Sequence, residues 1–261
     1  MTERKTVVYP NPQVLAEAVA ARTLLTIIDL LAEPNRKRVD IAVTGGTDGN
    51  RVFAAMNASP LNDAVDWSRV HVWWGDERFV AADDDDRNAK QAREAGTMRL
   101  WKRAHAGGEH PCDAGRYPRR RRDRRLPRTD RCGAGRGRRG VPARAHRAVG
   151  RKSGIGYRDV RHGPDAHFAS LFPDHGEAEI DDPHVLVAGV RDSPKPPPLR
   201  LTLTVPMIAR SKHTWVFTSE ERKAGAVKAA FAQRNNPHAP SSYADGEELL
   251  WLIDEGAASK L

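Results

Sequence analysis

The chain has 261 residues, which is long enough for one α/β domain or two small ones with a buried core. Its two cysteines, Cys112 and Cys132, lack the spacing of metal ligands, so neither a disulfide scaffold nor a metal centre is predicted. The sequence shows no charged-then-apolar leader and no apolar run long enough to span a bilayer. We therefore expect a cytoplasmic protein without a membrane partner.

The net charge of +9 is distributed unevenly along the chain. Residues 96–162 contain 21 lysines and arginines, of which 19 are arginines, against 5 acidic residues. This segment therefore carries a charge of +16, whereas the rest of the chain carries −7. The positive net charge of the chain therefore comes from residues 96–162, and the other residues together are acidic.

The first predicted elements are a helix and a strand. Asn11-Pro12 is a typical helix start, and apolar residues then recur at helical spacing until Pro34. Val39–Val43 alternates as a strand does, and a second helix is predicted over Asn50–Asn57.

The turn Thr44-Gly45-Gly46-Thr47 joins that strand to the second helix. A glycine-rich turn in this position presents free backbone N–H groups to an anion. Gly45, Gly46 and Thr47 are therefore candidate phosphate ligands. An ordinary tight turn is the alternative that this segment alone leaves open.

A second strand, Val70–Trp74, runs into a Gly-Asp-Glu-Arg motif. Because ligands bind beyond the carboxyl ends of strands in open parallel sheets, Asp76, Glu77 and Arg78 are candidate binding residues. The alternative is a local ion-pair cluster, which contributes little at a surface. The acidic run Asp83–Asp86 is interpreted as a solvated loop, because no further metal ligands are spaced with it.

Regular patterns stop in residues 96–162. That segment has eleven glycines and only eight residues of the Val, Ile, Leu, Met, Phe and Trp type, with no period of two or 3.6. Such a composition buries too little apolar surface to offset the entropy of ordering. We therefore expect the segment to be disordered or mispacked.

The loop Gly163–Pro173 is the main candidate for chemistry. Asp165 and His167 stand two residues apart on it, after an opening glycine and proline. Small residues allow a backbone to come close to a ligand, and histidine titrates near neutrality as a general base should. Taken alone, the pattern also fits a capped turn with a hydrogen-bonded histidine.

Strand and helix patterns return after this loop. Strands are predicted at His184–Val190, Leu199–Val205, Thr214–Thr218 and Leu249–Asp254, a helix over Glu220–Ala232, and a closing turn at Ala257–Lys260.

Four motifs, in order along the chain, resemble those of the 6-phosphogluconolactonases, which belong to the wider glucosamine-6-phosphate isomerase/lactonase family. They are Thr44-Gly45-Gly46-Thr47, Trp74-Gly75-Asp76-Glu77-Arg78, the loop Gly163–Pro173, and Asp192-Ser193-Pro194-Lys195-Pro196-Pro197-Pro198. The second and the fourth favour a lactonase over a sugar-phosphate isomerase or deaminase of the same superfamily. The resemblance covers roughly residues 7–95 and 163–261.

This resemblance implies a fold and a reaction. The fold is a single α/β domain over residues 1–261, with an open, mainly parallel, Rossmann-like sheet flanked by helices. The reaction is the hydrolysis of 6-phospho-D-glucono-1,5-lactone to 6-phosphogluconate in the oxidative pentose phosphate pathway. The partner is the small sugar phosphate lactone, and no cofactor or metal is implied.

The resemblance also implies roles for individual residues. His167 would be the general base that deprotonates a water molecule, and Asp165 would orient the imidazole or its loop. The residues that would hold the phosphate and the polar groups of the sugar are Gly45, Gly46, Thr47, Asp76, Glu77, Arg78, Lys212 and Lys223. The chain departs from the family at Ala166 and Glu220, where glycines are usual, and at Phe168, where threonine is usual.

Two further interpretations concern residues 96–162. As a basic arm, the tract Arg119–Arg125 would bind nucleic acid nonspecifically through phosphates, although few aromatic residues are interleaved with it. As the frame-shifted translation of a G+C-rich gene, the segment would gain arginine, glycine, proline and alanine, and the chain would be an inactive lactonase. The second interpretation is favoured because the family has a segment of similar length at this place.

Overall fold

The computed structural model describes residues 2–94 and 164–261, together with the backbone of residues 157–161. The expectation that residues 96–162 are disordered or mispacked falls outside the described residues, except at Tyr157–Arg161, where the structure has a strand. The nucleic-acid-binding role of Arg119–Arg125 therefore stays a prediction, as does the single domain over residues 1–261.

The described residues form both strands and α-helices. In order they are β1 (Arg4–Tyr9), α1 (Pro12–Ala32), β2 (Val39–Val43), α2 (Gly46–Ala58), β3 (Val70–Trp74), β4 (Asp76–Arg78), α3 (Asn88–Ala92), β5 (Tyr157–Arg161), β6 (Val187–Val190), β7 (Arg200–Leu203), α4 (Val205–Ala209), β8 (His213–Thr218), α5 (Ala224–Ala232), β9 (Glu248–Asp254) and α6 (Glu255–Ala258).

Six of the strands form one sheet in the order β1-β9-β8-β5-β2-β3, and every pairing in it is parallel. Two apolar cores cover its two faces. On one face α1 and α2 pack on side chains such as Ile41 and Leu252. On the other face α4, α5 and α6 pack on side chains such as Val216 and Trp251. The predicted α/β fold with an open parallel sheet between helices is confirmed.

Local sequence explains where most of these elements begin. The Asn11 side chain accepts a hydrogen bond from the backbone N–H of Val14 (2.9 Å) and starts α1 at Pro12. Helix α2 begins at Gly46, four residues before the predicted start at Asn50, because the glycine turn itself supplies the helix N-terminus. The edge strand β1 was not predicted.

A second, smaller sheet contains β4, β7 and β6 in antiparallel order. The Gly-Asp-Glu-Arg motif therefore leaves the parallel sheet directly after β3 and pairs with β7, so that Arg78 lies opposite Arg200. The sequence patterns predicted strands at β6 and β7 but did not indicate a separate sheet.

The order of strands places a crevice between β2 and β5. Strand β3, which follows β2 in the chain, lies on one side of this crevice. Strands β8 and β9, which follow β5 in this sheet, lie on the other side. Loops that follow the two central strands therefore diverge, and ligands bind at such switch points in open α/β sheets. The Thr44–Thr47 turn follows β2, and the loop with His167 follows β5.

None of the helices in the described ranges is long and apolar enough to cross a membrane. The expected cytoplasmic location stays a prediction.

Candidate active site

Two adjoining depressions lie at the switch point. The inner cavity has a volume of about 180 Å³, and its lining includes Thr44, Gly45, Arg78, Asn88, His167 and Lys195. The outer groove, of about 730 Å³, is lined by residues that include Gly46, Thr47, Asn50 and Arg51. Arg78 and Pro196 border both, so the two depressions form one continuous site.

His167, Asp165 and Lys195 form a charged cluster in the inner cavity. The Nδ1 atom of His167 contacts the Oδ1 atom of Asp165. Lys195 Nζ lies 3.1 Å from Oδ1 and 3.0 Å from Oδ2 of Asp165, and 3.2 Å from His167 Nδ1. The imidazole ring also packs on Phe172, with 5.0 Å between ring centroids. These contacts hold the imidazole in one orientation.

The protonation of this cluster follows from Asp165. Burial raises the pKa of Asp165, but hydrogen bonds and charges from His167 and Lys195 outweigh burial and hold the pKa well below its usual range. An ionised carboxylate can only accept, so Nδ1 of His167 carries the proton in this contact. Lys195 Nζ then donates to the Asp165 carboxylate, as Nδ1 does, and does not donate to Nδ1. The lone pair of the neutral imidazole therefore lies on Nε2, as a general base requires.

The backbone of the His167 loop is left-handed at two positions. Ala166 has a φ of 63° and Ala169 a φ of 49°. Alanine adopts such angles less readily than glycine, and strained backbone of this kind clusters at functional sites. At Ala166 the angle explains why the family usually has glycine there. The loop is held by a hydrogen bond from Ser241 N to the Ala166 carbonyl (2.9 Å).

Lys195 and Arg200 are site residues that were not among the predicted ligands. The buried Arg200 donates to the carbonyls of Lys195 and Pro196 (both 3.0 Å) and of Pro197 (3.2 Å), so it holds the proline-rich segment in place. The signal for Lys195 was present in the sequence, because Lys195 stands in one of the four family-like motifs. No local pattern pointed to Arg200.

Asp76, a predicted ligand, is a buried residue in the lining of the inner cavity, and its carboxylate contacts protein groups. Ser170 Oγ donates to its Oδ2 atom (2.7 Å), and Arg200 Nη1 lies 3.7 Å from the same atom. Asp76 therefore ties β4 to the His167 loop and to β7.

Glu77 was a predicted ligand, but its carboxylate is used inside the protein. It accepts hydrogen bonds from the backbone N–H groups of Arg78 and Asn88 (both 2.8 Å) and of Ala89 (3.1 Å). Burial raises the pKa of Glu77 and outweighs these bonds. Since the carboxylate occupies the N-terminus of α3, Glu77 positions Asn88 rather than lining either depression.

The backbone of the glycine turn lies very close to neighbouring protein groups. Gly46 has a φ of 77°, which only glycine adopts readily. A Cβ atom at Gly45 would lie 2.2 Å from Oδ1 of Asn88, and one at Gly49 would lie 2.2 Å from the Thr44 carbonyl oxygen. Gly46 and the exposed Thr47, in the first turn of α2, border the outer groove, and their role as phosphate ligands stays a prediction.

The two lysines predicted as ligands lie elsewhere. Lys212 precedes the amino end of β8, at the opposite edge of the sheet from the site, and pairs with Glu33 (2.9 Å). Lys223 is buried and donates to Asp48 Oδ2 (2.5 Å) on the first turn of α2. Neither lysine lines a depression: Lys223 supports the glycine turn from below through Asp48, and Lys212 lies away from the site.

Arg51 supplies a cation to the outer groove. Its Nη1 atom lies 3.2 Å from Oε1 of Glu220, 3.3 Å from Oγ of Ser219 and 3.4 Å from Oδ1 of Asp48. Glu220, at the second position where the family usually has glycine, has a φ of 82°. No sequence pattern singled out Arg51.

Within the described ranges, no group of three or more histidine, cysteine or acidic side chains is placed to hold a metal ion.

Comparison with protein families connects this geometry to known proteins. A sequence model described as "Glucosamine-6-phosphate isomerases/6-phosphogluconolactonase" matches residues 10–119 and 161–251. The first match continues beyond residue 95, where the resemblance of the motifs ended, so the internal stretch without a family match is residues 120–160.

Curated relatives match almost the whole chain. The chain is 36% identical over 267 residues to a 6-phosphogluconolactonase of Streptomyces coelicolor, covering 98% of this chain and 94% of the relative. It is 33% identical over 262 residues to a 6-phosphogluconolactonase of Mycobacterium tuberculosis, covering 97% of each.

Solved structures show the same fold. The chain is similar to a 6-phosphogluconolactonase from Trypanosoma brucei, with a TM-score of 0.70, 21% identity and all of both chains covered. It is also similar to a monomeric glucosamine-6-phosphate deaminase, with a TM-score of 0.67, 14% identity, and 98% and 100% of the two chains covered. The fold alone therefore does not distinguish the two activities.

Proposed function

The chain belongs to the glucosamine-6-phosphate isomerase/6-phosphogluconolactonase family, and from this premise we propose that it hydrolyses 6-phospho-D-glucono-1,5-lactone to 6-phosphogluconate in the oxidative pentose phosphate pathway. Relatives at 33% and 36% identity over nearly the full chain are lactonases. The observation that carries the proposal is the contact of His167 Nδ1 with an ionised Asp165 in the inner cavity.

His167 acts as the general base in this proposal. Its Nε2 atom takes a proton from a water molecule as the water oxygen attacks the lactone carbonyl carbon. The bond between that carbon and the ring oxygen then breaks, and the ring oxygen receives the proton from the imidazolium. The product is the open-chain acid. Asp165 stabilises the imidazolium and keeps the tautomer correct.

Cations of the inner cavity stabilise the negative charge that develops on the carbonyl oxygen. Lys195 and Arg78 both line this cavity, and donors placed at a developing oxyanion contribute a large part of catalysis in acyl transfer. Arg200 is engaged with the carbonyls of the proline-rich segment, so its role is to position Lys195.

The outer groove receives the phosphate. The N-terminus of α2 offers backbone N–H groups and a positive dipole end, and Arg51 adds a charged side chain beside them. Binding at opposite ends of one continuous site would place the phosphate outside and the lactone carbonyl next to His167.

A coupled assay tests the proposal. Formation of 6-phosphogluconate is measured with fresh lactone and corrected for spontaneous hydrolysis, for the wild type, His167→Ala and the distant control Lys212→Ala. General base catalysis supplies about 10²- to 10⁴-fold, so His167→Ala should lose that factor while Lys212→Ala stays near wild type. Full activity of His167→Ala would exclude His167 as the base, and an inactive wild type would exclude the function.

The frame-shift interpretation bears on how active this chain is. Residues 120–160 match no part of the family model, and they lie between two stretches that match it. We propose that compensating insertions or deletions lie on either side of this stretch, one near the codons for Ala95 and Gly96 and the other near that for Gly163. The nucleotide sequence decides the matter, because another frame should encode alternating apolar residues there, whereas stop codons in both other frames would contradict the proposal.

A further inference from the structure

Asn88 is a buried polar side chain of the inner cavity to which the mechanism gives no role. It is 1% exposed and stands at the first position of α3, where Glu77 fixes its backbone N–H (2.8 Å). Its side chain reaches the wall of the cavity beside Gly45. We propose that Asn88 is a specificity-determining residue, whose Oδ1 atom accepts a hydrogen bond from a ring hydroxyl of the lactone; this inference rests on the proposed function.

The orientation of the Asn88 amide is determined by its surroundings. The Nδ2 atom donates to the backbone carbonyl of Asp76 (2.9 Å), which can only accept. The amide therefore cannot be flipped without placing two acceptor oxygens against each other. Oδ1 must lie on the other side, towards Gly45, where a Cβ atom would come within 2.2 Å of it.

The Oδ1 atom is buried, and in the described part of the chain no group donates a hydrogen bond to it. Buried polar atoms are nearly always satisfied, and leaving one unsatisfied is costly. An acceptor of this kind in the wall of a cavity therefore calls for a donor from the ligand.

The chemistry of the wall selects a hydroxyl group. Arg78, which lines the same cavity, has a buried Nε atom that likewise lacks a hydrogen-bond partner among the described residues. A hydroxyl both donates and accepts, so it matches an acceptor and a donor that face one cavity.

The experiment compares 6-phosphogluconolactone with its 2-deoxy, 3-deoxy and 4-deoxy analogues on three enzymes: the wild type, Asn88→Ala, and Asn50→Ala. Asn50 is a matched control, since it presents an equivalent buried amide oxygen to the outer groove. The readout is the ratio of kcat/KM between the parent and each analogue. Because this ratio is taken within one enzyme, a reduced folded fraction cancels from it.

A site that hydrogen-bonds a substrate hydroxyl rejects the analogue that lacks it, and the wild type should lose at least about 10-fold with one analogue. Asn88→Ala should bring that ratio close to one, whereas Asn50→Ala should keep the wild-type ratio. The inference is overturned if the wild type hydrolyses all three analogues as well as the parent, or if Asn88→Ala discriminates as the wild type does. In both cases the lactonase function stands; a wild type that hydrolyses no lactone overturns the function itself.

Discussion

The charged side chains of the inner cavity and those of the outer groove are held in different ways. In the inner cavity, Asp165 holds both His167 and Lys195, and the group is fixed by packing on Phe172. In the outer groove, Arg51 is shared among three partners at longer distances, 3.2–3.4 Å, and no aromatic ring packs on it among the contacts described.

This difference matches the work proposed for each region. A proton transfer needs one tautomer in one orientation, which the interlocked contacts around the buried His167 provide. A phosphate needs positive potential, which a half-buried cation and a helix N-terminus supply without close fixation. We therefore expect substitutions in the inner cavity to change kcat and those in the outer groove to change KM.

The largest expected effect is that of Asp165→Asn. The amide would present a donor to Nδ1, which would move the proton of the neutral imidazole to Nε2 and remove the basic lone pair. Loss of the correct tautomer costs up to about 10⁴-fold in kcat in a related arrangement. Steady-state kinetics should show this loss with KM nearly unchanged. A kcat within 10-fold of wild type would show that the Asp165 contact does not set the tautomer.

Breaking the buried pair beneath the outer groove should have the next largest effect, on stability. Asp48→Asn removes the carboxylate that neutralises the buried Lys223, and breaking such a pair costs about 3–5 kcal/mol. Denaturant unfolding measures the change. The double variant Asp48→Asn/Lys223→Met should recover most of it, because no buried charge then lacks its counterion. A double variant as unstable as Asp48→Asn would contradict this explanation.

The same pair predicts a pH dependence. Burial raises the pKa of Asp48, but the charge and hydrogen bond of Lys223, with the Ser219 hydrogen bond, outweigh burial and lower the pKa. A lowered folded-state pKa stabilises above the unfolded value, about 3.9 for Asp, and this contribution is lost as pH falls through the folded value. The unfolding free energy of the wild type should therefore fall below about pH 4 more steeply than that of the double variant. If the unfolding free energies of the wild type and the double variant fell equally steeply with pH, the prediction would be wrong.

In the outer groove, Arg51→Ala should raise KM about 10-fold with kcat unchanged, because it removes binding that is equal in the ground and transition states. The control Arg51→Lys keeps a charge and should lose less. Inhibition by inorganic phosphate should weaken in parallel. A fall in kcat at constant KM would place Arg51 in the chemistry and break the division between the two regions.

The smallest effect is expected at Glu220, whose φ of 82° strains any residue except glycine. Glu220→Ala loses the contacts to Arg51 (3.2 Å) and Arg222 (2.6 Å) and keeps the strain. Glu220→Gly loses the same contacts but relieves the strain, so it should be more stable than Glu220→Ala by about 1 kcal/mol. Equal stabilities of the two variants would show that the backbone is not strained there.

Much of the fold and part of the site could be predicted from the sequence. The apolar periodicity of α1 and the alternation in β2 and β3 are local properties, and each predicted element was observed with shifts of a few residues at its ends. Asp165 and His167 could be singled out because the order of residues in their loop is itself a motif. Helix α2 was predicted too short, since the glycine turn that starts it resembles a loop in composition.

Tertiary structure decided which charged residues take part. Of the lysines Lys195, Lys212 and Lys223, one contacts Asp165 and His167, one lies at the far edge of the sheet and one is buried under α2. A local pattern sets the element on which a side chain lies, but strand order and the ends at which parallel strands meet determine which side chains converge. Arg200 and Asn88 reach the cavity only because β4 leaves one sheet for another and because Gly45 has no side chain.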